Sequence, residues 1–300
     1  MHRRKFLKCA AITGVSLSIP NTIDTFVNFA ESSEKVDLAV AQGTSPSEIT
    51  KAAIDAIGGI KKFISRGDVV VIKPNIAWDR VPEQAANTNP DVVSAVVELC
   101  LEAGAKKVKV FDRTVNEPRR CYVQSGIAEK AKASGADVSY VDERKFRDMN
   151  IKGQVLKSWP LYTEVIEADK VINIPIAKHH GLALITMAMK NWMGVMGGSR
   201  QEIHQKINES LADLAMFIKP TLTVLDAVRI LTANGPQGGN LKDVKRLNTV
   251  IAGVDQVAVD SFGATLFGMK GSDLEYVRIA DKMGFGTMDL TKLNIKKIKV

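Results

Sequence analysis

Residues 169–198 read DKVINIPIAKHHGLALITMAMKNWMGVMGG, and this stretch decides the fold that the sequence predicts. The apolar run at residues 171–176 has the length and composition of a strand buried on both faces. It leads into Lys178, His179 and His180. Open α/β sheets build ligand sites where such strands end, so we expect a site at this point of the chain.

The pattern on either side of this strand alternates strands and helices at βαβ spacing. The predicted strands are 36–41, 69–75, 108–112, 138–141, 222–225, 248–252 and 295–300, and the predicted helices are 47–64, 91–104, 119–134, 162–168, 204–219, 257–267 and 272–283. Such spacing is typical of an α/β fold with a mainly parallel sheet and helices on both faces. We expect a single compact domain over residues 31–300, with a hairpin excursion at 149–159.

The amino-acid composition limits the classes of function that this protein can have. The 300 residues are 45% apolar and 25% charged, which is typical of a globular protein. The net charge of +8 falls to +5 without the first thirty residues, and this scattered excess disfavours nucleic-acid binding. Three cysteines cannot supply an iron–sulfur cluster. Cys100 and Cys121 could form a disulfide, although the apolar surroundings of Cys100 favour a buried thiol.

The first thirty residues have the organisation of an export signal. A basic segment with Arg3 and Arg4 precedes a short, weakly apolar stretch at 9–20. Basic, then apolar, then polar residues form a secretory signal, and RRKFLK resembles the twin-arginine signal, which a receptor reads. We therefore expect residues 1–30 to direct the protein through the twin-arginine export machinery to the periplasm. An apolar stretch this short cannot serve as a stable transmembrane anchor. The alternative is an ordinary basic amino terminus.

Lysines and asparagines mark the ends of apolar segments. Lys73 and Asn75 lie at the end of the strand at 69–75, Lys178 follows the central strand, and Lys190 and Asn191 lie just beyond. A lysine in such a place either extends to solvent or presents its charge to a carboxylate or phosphate in a partly dry cleft. The second interpretation makes these five residues candidates for binding a small anion.

Three of the four histidines lie within 26 residues: His179, His180 and His204. Each could transfer a proton or ligate a metal. Neighbouring side chains in a strand point to opposite faces, so we expect only one of His179 and His180 to face the site directly. The candidate metal ligands are His180, His204, Asp226 and Asp260, with Asp226 expected at the end of the strand 222–225.

The glycine-rich loop at 235–239 could bring backbone close to a phosphate or could simply turn the chain. It lacks the G-x-G-x-x-G spacing after a first strand, so a dinucleotide-binding fingerprint is absent.

Several motifs together resemble the family known as domain of unknown function 362. They are IKPN at 72–75, NIPIAKHH at 173–180, MKNWMG at 189–194 and GVDQVAVD at 253–260, with His204, the strand before Asp226 and the Gly-Pro loop in the same order. The resemblance implies the family's fold and site more than a reaction. Many members carry a ferredoxin-like segment with iron–sulfur cysteines. This sequence lacks those cysteines, so we expect no electron transfer through such a cluster.

The central stretch is also similar to lactate racemase and its nickel-pincer relatives. In those enzymes a strand of the form D-x-V-I runs into a histidine, with a glycine-rich turn and a lysine further on. His180 and Lys190 would take those places here, and the similarity implies a metal or organometallic cofactor. The segment HHGLALITMAMK departs from that pattern, because it is apolar and helical in character where those enzymes are rich in glycine.

The function expected from these residues is that of an exported enzyme, resembling a racemase or isomerase, that moves a proton next to the carboxylate of a small anionic compound. Lys73 and Lys190 would hold the anion, His179 or His180 would transfer the proton, and His204 and Asp226 would orient the site. Two alternatives stay open. One is a periplasmic ligand- or cofactor-binding protein without catalysis, and the other is a metal-dependent hydrolase.

Overall fold

A ten-stranded mixed sheet runs through residues 35–300, the part of the chain that the computed structural model describes. A separate hairpin carries two more strands. The strands are β1 Leu38–Gln42, β2 Val69–Pro74, β3 Lys107–Val110, β4 Asp137–Val138, β5 Phe146–Asn150, β6 Ser158–Tyr162, β7 Lys170–Ile174, β8 Ile176–His180, β9 Leu184–Thr186, β10 Leu222–Leu231, β11 Val244–Gly253 and β12 Ile295–Lys299. The helices are α1 Pro46–Ala56, α2 Pro90–Glu102, α3 Pro118–Gln124, α4 Ile127–Ala133, α5 Thr163–Glu167, α6 Ala188–Asn191, α7 Ile207–Phe217, α8 Gln256–Thr265 and α9 Glu275–Lys282.

The predicted fold class is confirmed. The sheet has the order β12-β1-β11-β10-β7-β2-β3-β4, and β8 pairs with both β10 and β9. The strands β7, β2, β3 and β4 are mutually parallel, whereas β11 is antiparallel to both of its neighbours. The carboxyl ends of β2, β3 and β7 therefore lie at one edge of the sheet, where α/β folds hold their ligands.

Helices cover both faces of this sheet because its strands are apolar on both sides. In β2, Val70 and Ile72 belong to the apolar cluster that includes α1 and α2, whereas Val71 belongs to the cluster that includes α7, α8 and α9. Successive side chains of a strand point to opposite faces, so a run of β-branched residues joins both clusters. The four β-branched residues at 69–72 thus place β2 in the middle of the layered structure.

Local sequence sets two boundaries that differ from the prediction. The predicted helix 119–134 is divided into α3 and α4, because Gly126 adopts φ 69°, a left-handed conformation that ends a helix. The predicted helix 204–219 begins as a 3-10 turn at Glu202–Lys206 and becomes α7 only at Ile207. Pro220 follows the end of α7, as the sequence predicts.

The position predicted for Asp226 is wrong. We expected a strand that ends at this residue, but β10 continues to Leu231, and Asp226 lies in its middle, 1% exposed. The strand can continue because the neighbouring backbone satisfies the carboxylate. Its two oxygens accept hydrogen bonds from the backbone nitrogens of Asn89 at 2.7 Å and Val228 at 2.9 Å.

The central apolar run also forms two strands in place of one. Pro175 separates β7 from β8, and both segments pair with β10, β7 at Leu222 and Thr223 and β8 further along, from Asp226. Proline has no N–H to donate to a ladder, so the chain bends at this point. The bend carries Lys178 and His180 beyond the ends of the neighbouring parallel strands.

The remaining sequence predictions have mixed outcomes. The hairpin excursion is confirmed as β5 and β6, and β12 is the lysine-rich edge strand that the sequence predicts. Cys100 and Cys121 are both buried free thiols, so they form no bridge. Within residues 35–300, no helix has both the length and the apolar character needed to cross a bilayer. The predicted export signal at 1–30 lies outside the described residues.

Candidate functional site

A cavity of about 800 Å³ opens at the carboxyl ends of β2, β3 and β8. We call it the cationic pocket, because five of the six charged side chains that line it are basic. They are Lys73, Asp112, Arg113, Lys178, Lys190 and Arg200. His180 and His204 line the same cavity. The structure therefore places five of the side chains predicted from the sequence in one cavity. They are Lys73, Lys178, His180, Lys190 and His204.

The innermost charge of the pocket is Lys73, which is fully buried. Its ammonium nitrogen lies 2.8 Å from Asp112 Oδ1, and it also donates to the Pro74 carbonyl at 2.8 Å and to Asn191 Oδ1 at 2.9 Å. Burial lowers the pKa of Lys73, and the Asp112 carboxylate opposes that shift. An ammonium has three N–H donors, so each N–H of Lys73 has an acceptor within the protein.

Asparagines connect the lysines to one another. Asn191 donates from Nδ2 to the Lys73 carbonyl at 3.1 Å and to Asn173 Oδ1 at 2.8 Å. Asn75 donates to Asn191 Oδ1 at 3.1 Å and accepts from the Lys178 ammonium at 3.1 Å. Direct contacts thus join Lys73, Lys178, Asn75 and Asn191, and the two asparagines bind protein atoms in this network.

Lys178 is 1% exposed and makes a second hydrogen bond, to the Ala86 carbonyl at 2.5 Å. Two acceptors leave one of its three N–H groups without a protein partner among the described residues. Burial lowers its pKa to about 7, while Asp112 raises it and Lys190 lowers it further.

Lys190 lies in α6 and is 7% exposed. The polar contact of its amine within residues 35–300 is Met193 Sδ at 3.1 Å, and a thioether is a weak acceptor. Burial, reinforced by the charge of Arg200, lowers the pKa of Lys190 to about 7. Lys190 is thus the least satisfied of the three buried lysines.

The short helix that carries Lys190 is held at its amino terminus by Asp260. The carboxylate accepts from the backbone nitrogens of Ala188 at 2.6 Å and Met189 at 3.0 Å. Burial raises the pKa of Asp260 to about 7, and the two backbone donors oppose that shift. Asp260 is therefore satisfied by helix N–H groups, which leaves it a role in positioning α6.

The two neighbouring histidines point to opposite sides of β8, as strand geometry predicts. His180 faces the cationic pocket, and its Nδ1 accepts hydrogen bonds from the backbone nitrogens of Leu182 at 3.1 Å and Ala183 at 3.2 Å. His179 lines a different cavity, and its Nδ1 accepts from the Gly235 nitrogen at 3.1 Å. The structure therefore does not bring His179 to the site.

These contacts determine the proton positions of His180. A nitrogen that accepts two N–H groups carries no proton in the neutral ring, so Nε2 holds the proton. Burial lowers the pKa of His180 to about 3, and the charge of Lys190 adds to the effect. His180 thus presents an N–H donor and cannot easily take up a proton.

For His204, which is partly exposed, burial and the Lys190 charge also lower the pKa. His204 is therefore the more suitable base.

The four candidate metal ligands do not converge. The carboxylates of Asp226 and Asp260 already accept hydrogen bonds from backbone N–H groups, and neither residue lines the cationic pocket. A metal at His180 Nε2 would require the proton to move to Nδ1, where two backbone donors oppose it. Among residues 35–300, no three His, Cys, Asp or Glu side chains are arranged to hold a metal ion. The donor set of the described residues does not fit a metal ion held by protein side chains alone.

Sequence reasoning missed three charged residues of the pocket. Asp112 lies two residues beyond the end of β3, and the run KVKVFD offered a signal, because a carboxylate after a strand of a parallel sheet is a common site residue. Arg200 follows the paired glycines of the central stretch and donates to the backbone oxygens of Arg113 at 2.9 Å and Thr114 at 2.7 Å. Nothing in the sequence indicated that this loop folds back over the strand ends.

Gly194 is required by the close approach of the chain to the buried ion pair. A Cβ at this position would lie 1.8 Å from Asp112 Oδ1 and 2.5 Å from the Lys73 ammonium nitrogen. No side chain fits there. The glycine thus lets the turn after α6 close over the pair, and its carbonyl accepts from the Arg113 nitrogen at 2.9 Å.

Two further polar atoms at the pocket are unsatisfied. Trp78 Nε1 and Thr186 Oγ1 are buried without a hydrogen-bond partner among the described residues, and both side chains line the cavity. Buried polar groups are normally hydrogen-bonded, so such atoms point to a ligand or water that completes the site.

Comparison with known proteins finds one family and several distant structures. The family model described as Domain of unknown function (DUF362) matches residues 70–265. The thylakoid-associated protein sll1697 of Synechocystis sp. is 28% identical over 218 residues, which cover 70% of this chain and 66% of that protein.

Two solved structures share part of the chain path. The lactate racemase apoprotein of Thermoanaerobacterium thermosaccharolyticum aligns with a TM-score of 0.48 and 10% identity over 75% of this chain and 56% of its own. A putative alcohol dehydrogenase of Thermotoga maritima aligns with a TM-score of 0.24 and 19% identity over 59% of this chain and 29% of its own. The chain thus spans less than two thirds of each of these relatives.

Proposed function

The chain belongs to the DUF362 family, and from that premise and the geometry of its pocket we propose that it is an enzyme that moves a proton next to the carboxylate of a small anionic compound. The observation that carries the proposal is the charge of the cationic pocket. Five basic side chains and a single carboxylate line one cavity, and that carboxylate is already bound to Lys73. An anion would supply the missing countercharge.

The contacts of the lysines support a division of roles. Lys73 has no free donor, so it holds Asp112 and Asn191 in place and does not bind the anion itself. Lys178 has one free N–H, and Lys190 and Arg200 have more. These three side chains would hold a carboxylate, and the His180 Nε2–H would donate to an oxygen of the substrate.

The residues that would transfer the proton are His204 and Lys190. Both line the pocket. Burial lowers the pKa of Lys190 to about 7, so its amine can gain or lose a proton near neutral pH, and the lowered pKa of His204 favours the neutral imidazole, which can accept a proton. His180 is excluded from this role by its two backbone donors. Lys190 and His204 can take part in proton transfer, and they lie in the cavity that also holds the His180 N–H donor, which favours catalysis over passive binding.

The test compares lactate and pyruvate with lactamide and pyruvamide, which lack the negative charge. Calorimetry should detect binding of the acids and not of the amides, and the Lys190→Met variant should bind the acids at least about tenfold more weakly, the loss expected for one charged contact. Proton NMR in deuterated water should then show exchange of the hydrogen on the lactate carbon next to the carboxylate. Binding without exchange of any tested acid would support the non-catalytic alternative, and equal binding of acids and amides would contradict both.

Export to the periplasm through the twin-arginine machinery remains a proposal that rests on Arg3, Arg4 and the segment that follows them. Replacement of both arginines by lysine keeps the charge and removes the guanidinium pair. Fractionation of cells should find the wild type in the periplasm and the double variant in the cytoplasm. A periplasmic double variant would contradict the assignment.

A further inference from the structure

The three buried lysines of the cationic pocket differ in how their amines are used. Lys73 has three protein acceptors and Lys178 has two, all of them oxygen atoms. Lys190 contacts only a sulfur atom within residues 35–300, although it is almost as buried as the others. Burial alone therefore does not distinguish these amines, but their partners do.

An amine without oxygen acceptors is free to act as a nucleophile. Its lone pair accepts no hydrogen bond within residues 35–300, and Lys190 lines the cavity that the proposed substrate would occupy. We propose that Lys190 forms an imine with the carbonyl carbon of a small oxo acid bound in the cationic pocket. This inference rests on the proposed function and names a substrate class of the same site, in which the proton that moves is one carbon further from the carboxylate.

The electrostatic surroundings favour this reaction over a permanent ion pair. Arg200 repels positive charge at Lys190, and the nearest carboxylate of the pocket, Asp112, is bound to Lys73. Desolvation and a neighbouring cation are the two means by which proteins prepare a nucleophilic lysine. Burial and Arg200 lower the pKa of Lys190 to about 7, so a large neutral fraction exists at neutral pH.

The reaction balances without an oxidant or reductant. The neutral Lys190 nitrogen attacks the carbonyl carbon, a C–N bond forms, and the carbonyl oxygen takes one proton from the nitrogen to become a hydroxyl group. The hydroxyl then leaves with the second nitrogen proton as water, and a C=N bond remains. The imine nitrogen then takes a proton from water, and the resulting cation acidifies the C–H group next to the imine carbon. His204 lines the same cavity and is the base for that proton.

The site also fits the rest of such a molecule. Arg200 and the free N–H of Lys178 can hold the carboxylate, while the His180 Nε2–H can polarise the carbonyl oxygen during attack. A neutral imidazole that donates a hydrogen bond is suited to this role, since it adds no charge to an already positive pocket.

Reductive trapping tests the inference on the wild-type protein. Pyruvate and sodium cyanoborohydride are added at pH 7, and peptide mass spectrometry locates lysines that gain one carboxyethyl group. Lysine in water is neutral in fewer than about one in a thousand molecules at this pH, whereas an amine with a pKa of about 7 is about half neutral. We expect Lys190 to be modified at least about tenfold faster than the exposed Lys296, with glyoxylate giving the corresponding carboxymethyl group.

Lys178 is the internal comparison. Burial lowers its pKa to about 7 as well, but its amine donates hydrogen bonds to Asn75 Oδ1 and to the Ala86 carbonyl. If the contacts decide reactivity, Lys178 stays unmodified while Lys190 reacts. Modification of Lys190 no faster than Lys296, or of Lys178 as fast as Lys190, would overturn the inference.

Lactate binding to the wild type separates this inference from the proposed function, because lactate has no keto carbon with which to form an imine. The Lys190→Arg variant cannot form an imine either, so the carboxyethyl group should be absent from the corresponding peptide. Wild-type protein that binds lactate but yields no adduct would overturn the imine alone. Failure of lactate, pyruvate and glyoxylate to bind, with no adduct, would overturn the imine and the anion site together.

Discussion

The Asp112 carboxylate lies 2.8 Å from the Lys73 ammonium, and both side chains are almost completely buried. Lys73 comes from the end of β2 and Asp112 from the end of β3, so this pair joins two neighbouring parallel strands at the edge that carries the pocket. Asp112 also accepts from the Ile76 nitrogen at 2.6 Å. The carboxylate therefore fixes the path of the chain as it leaves β2.

Replacement of Asp112 by asparagine should destabilise the protein by about 3–5 kcal/mol, because it leaves the buried Lys73 charge without its partner. Urea unfolding measures the change. The matched control is Asp91→Asn, since Asp91 and Lys130 also lie 3.0 Å apart but are largely exposed. That variant should lose less than about 1 kcal/mol. Equal losses in the two variants would show that burial does not govern the strength of the Asp112–Lys73 pair.

Gly194→Ala should lower the free energy of unfolding by about 1–3 kcal/mol, because the added methyl group would overlap Asp112 and Lys73. Gly181→Ala provides the control, as a Cβ there meets nothing within 4 Å. Both glycines border the cationic pocket, so the comparison isolates the steric effect. A Gly194→Ala protein as stable as the Gly181→Ala protein would mean that the turn after α6 is able to move away from the pair.

His180 should remain neutral throughout the range in which histidines usually titrate. Its pKa of about 3 and the two backbone donors on Nδ1 predict a ring protonated at Nε2. Nitrogen-15 NMR distinguishes this tautomer directly, and a His180→Gln variant assigns the signal. The expected spectrum shows no change for His180 between about pH 5 and pH 8. A signal that titrates near pH 6.5 would contradict the hydrogen bonding described for this ring.

Lys190 should make stability depend on pH above neutrality. Its pKa is about 7 in the folded protein and about 10.4 in an unfolded chain, so between these values the unfolded state holds the extra proton. Stability therefore rises with pH across this window, by up to about 1.4 kcal/mol per unit for one lysine. The cost of burying the charge is fully present below about pH 7 and disappears above about pH 10.

The Lys190→Met variant isolates this contribution. Chemical unfolding at several pH values should give the variant a shallower rise than the wild type between about pH 7 and pH 10. Lys178, whose pKa is also about 7, stays in place and continues to contribute a slope of the same sign. Parallel curves for the two proteins would show that Lys190 keeps its proton when folded.

Apolar patterning was enough to predict the layers of the fold. The β-branched run in β2 and the spaced valines of α2 have only one arrangement that buries them, and the structure adopts it. Patterning failed where a polar side chain interrupts an element. Asp226 looks like the end of a strand in sequence, but a backbone nitrogen from the start of α2 satisfies it and lets β10 continue. Such a partner, distant in sequence, is invisible to local reasoning.

The site was predicted in part for a similar reason. Alternation along β8 predicted that one of two histidines faces the pocket, but the choice between them depends on how β8 pairs with β10, which no local pattern specifies. The lysines at strand ends were recognisable from their positions. Arg200 was not, because its place depends on a loop that closes over Arg113 and Thr114 through backbone contacts.

The occupied donors of Lys73 have a consequence for how this pocket could change during evolution. The strand-borne residues around Lys73 are tied to one another, so substitution there threatens folding before it alters recognition. Ser199 and Gln201 also line the pocket, and neither side chain makes a hydrogen bond to the strand ends within the described chain. New ligand preferences could therefore arise at these two positions at little cost in stability.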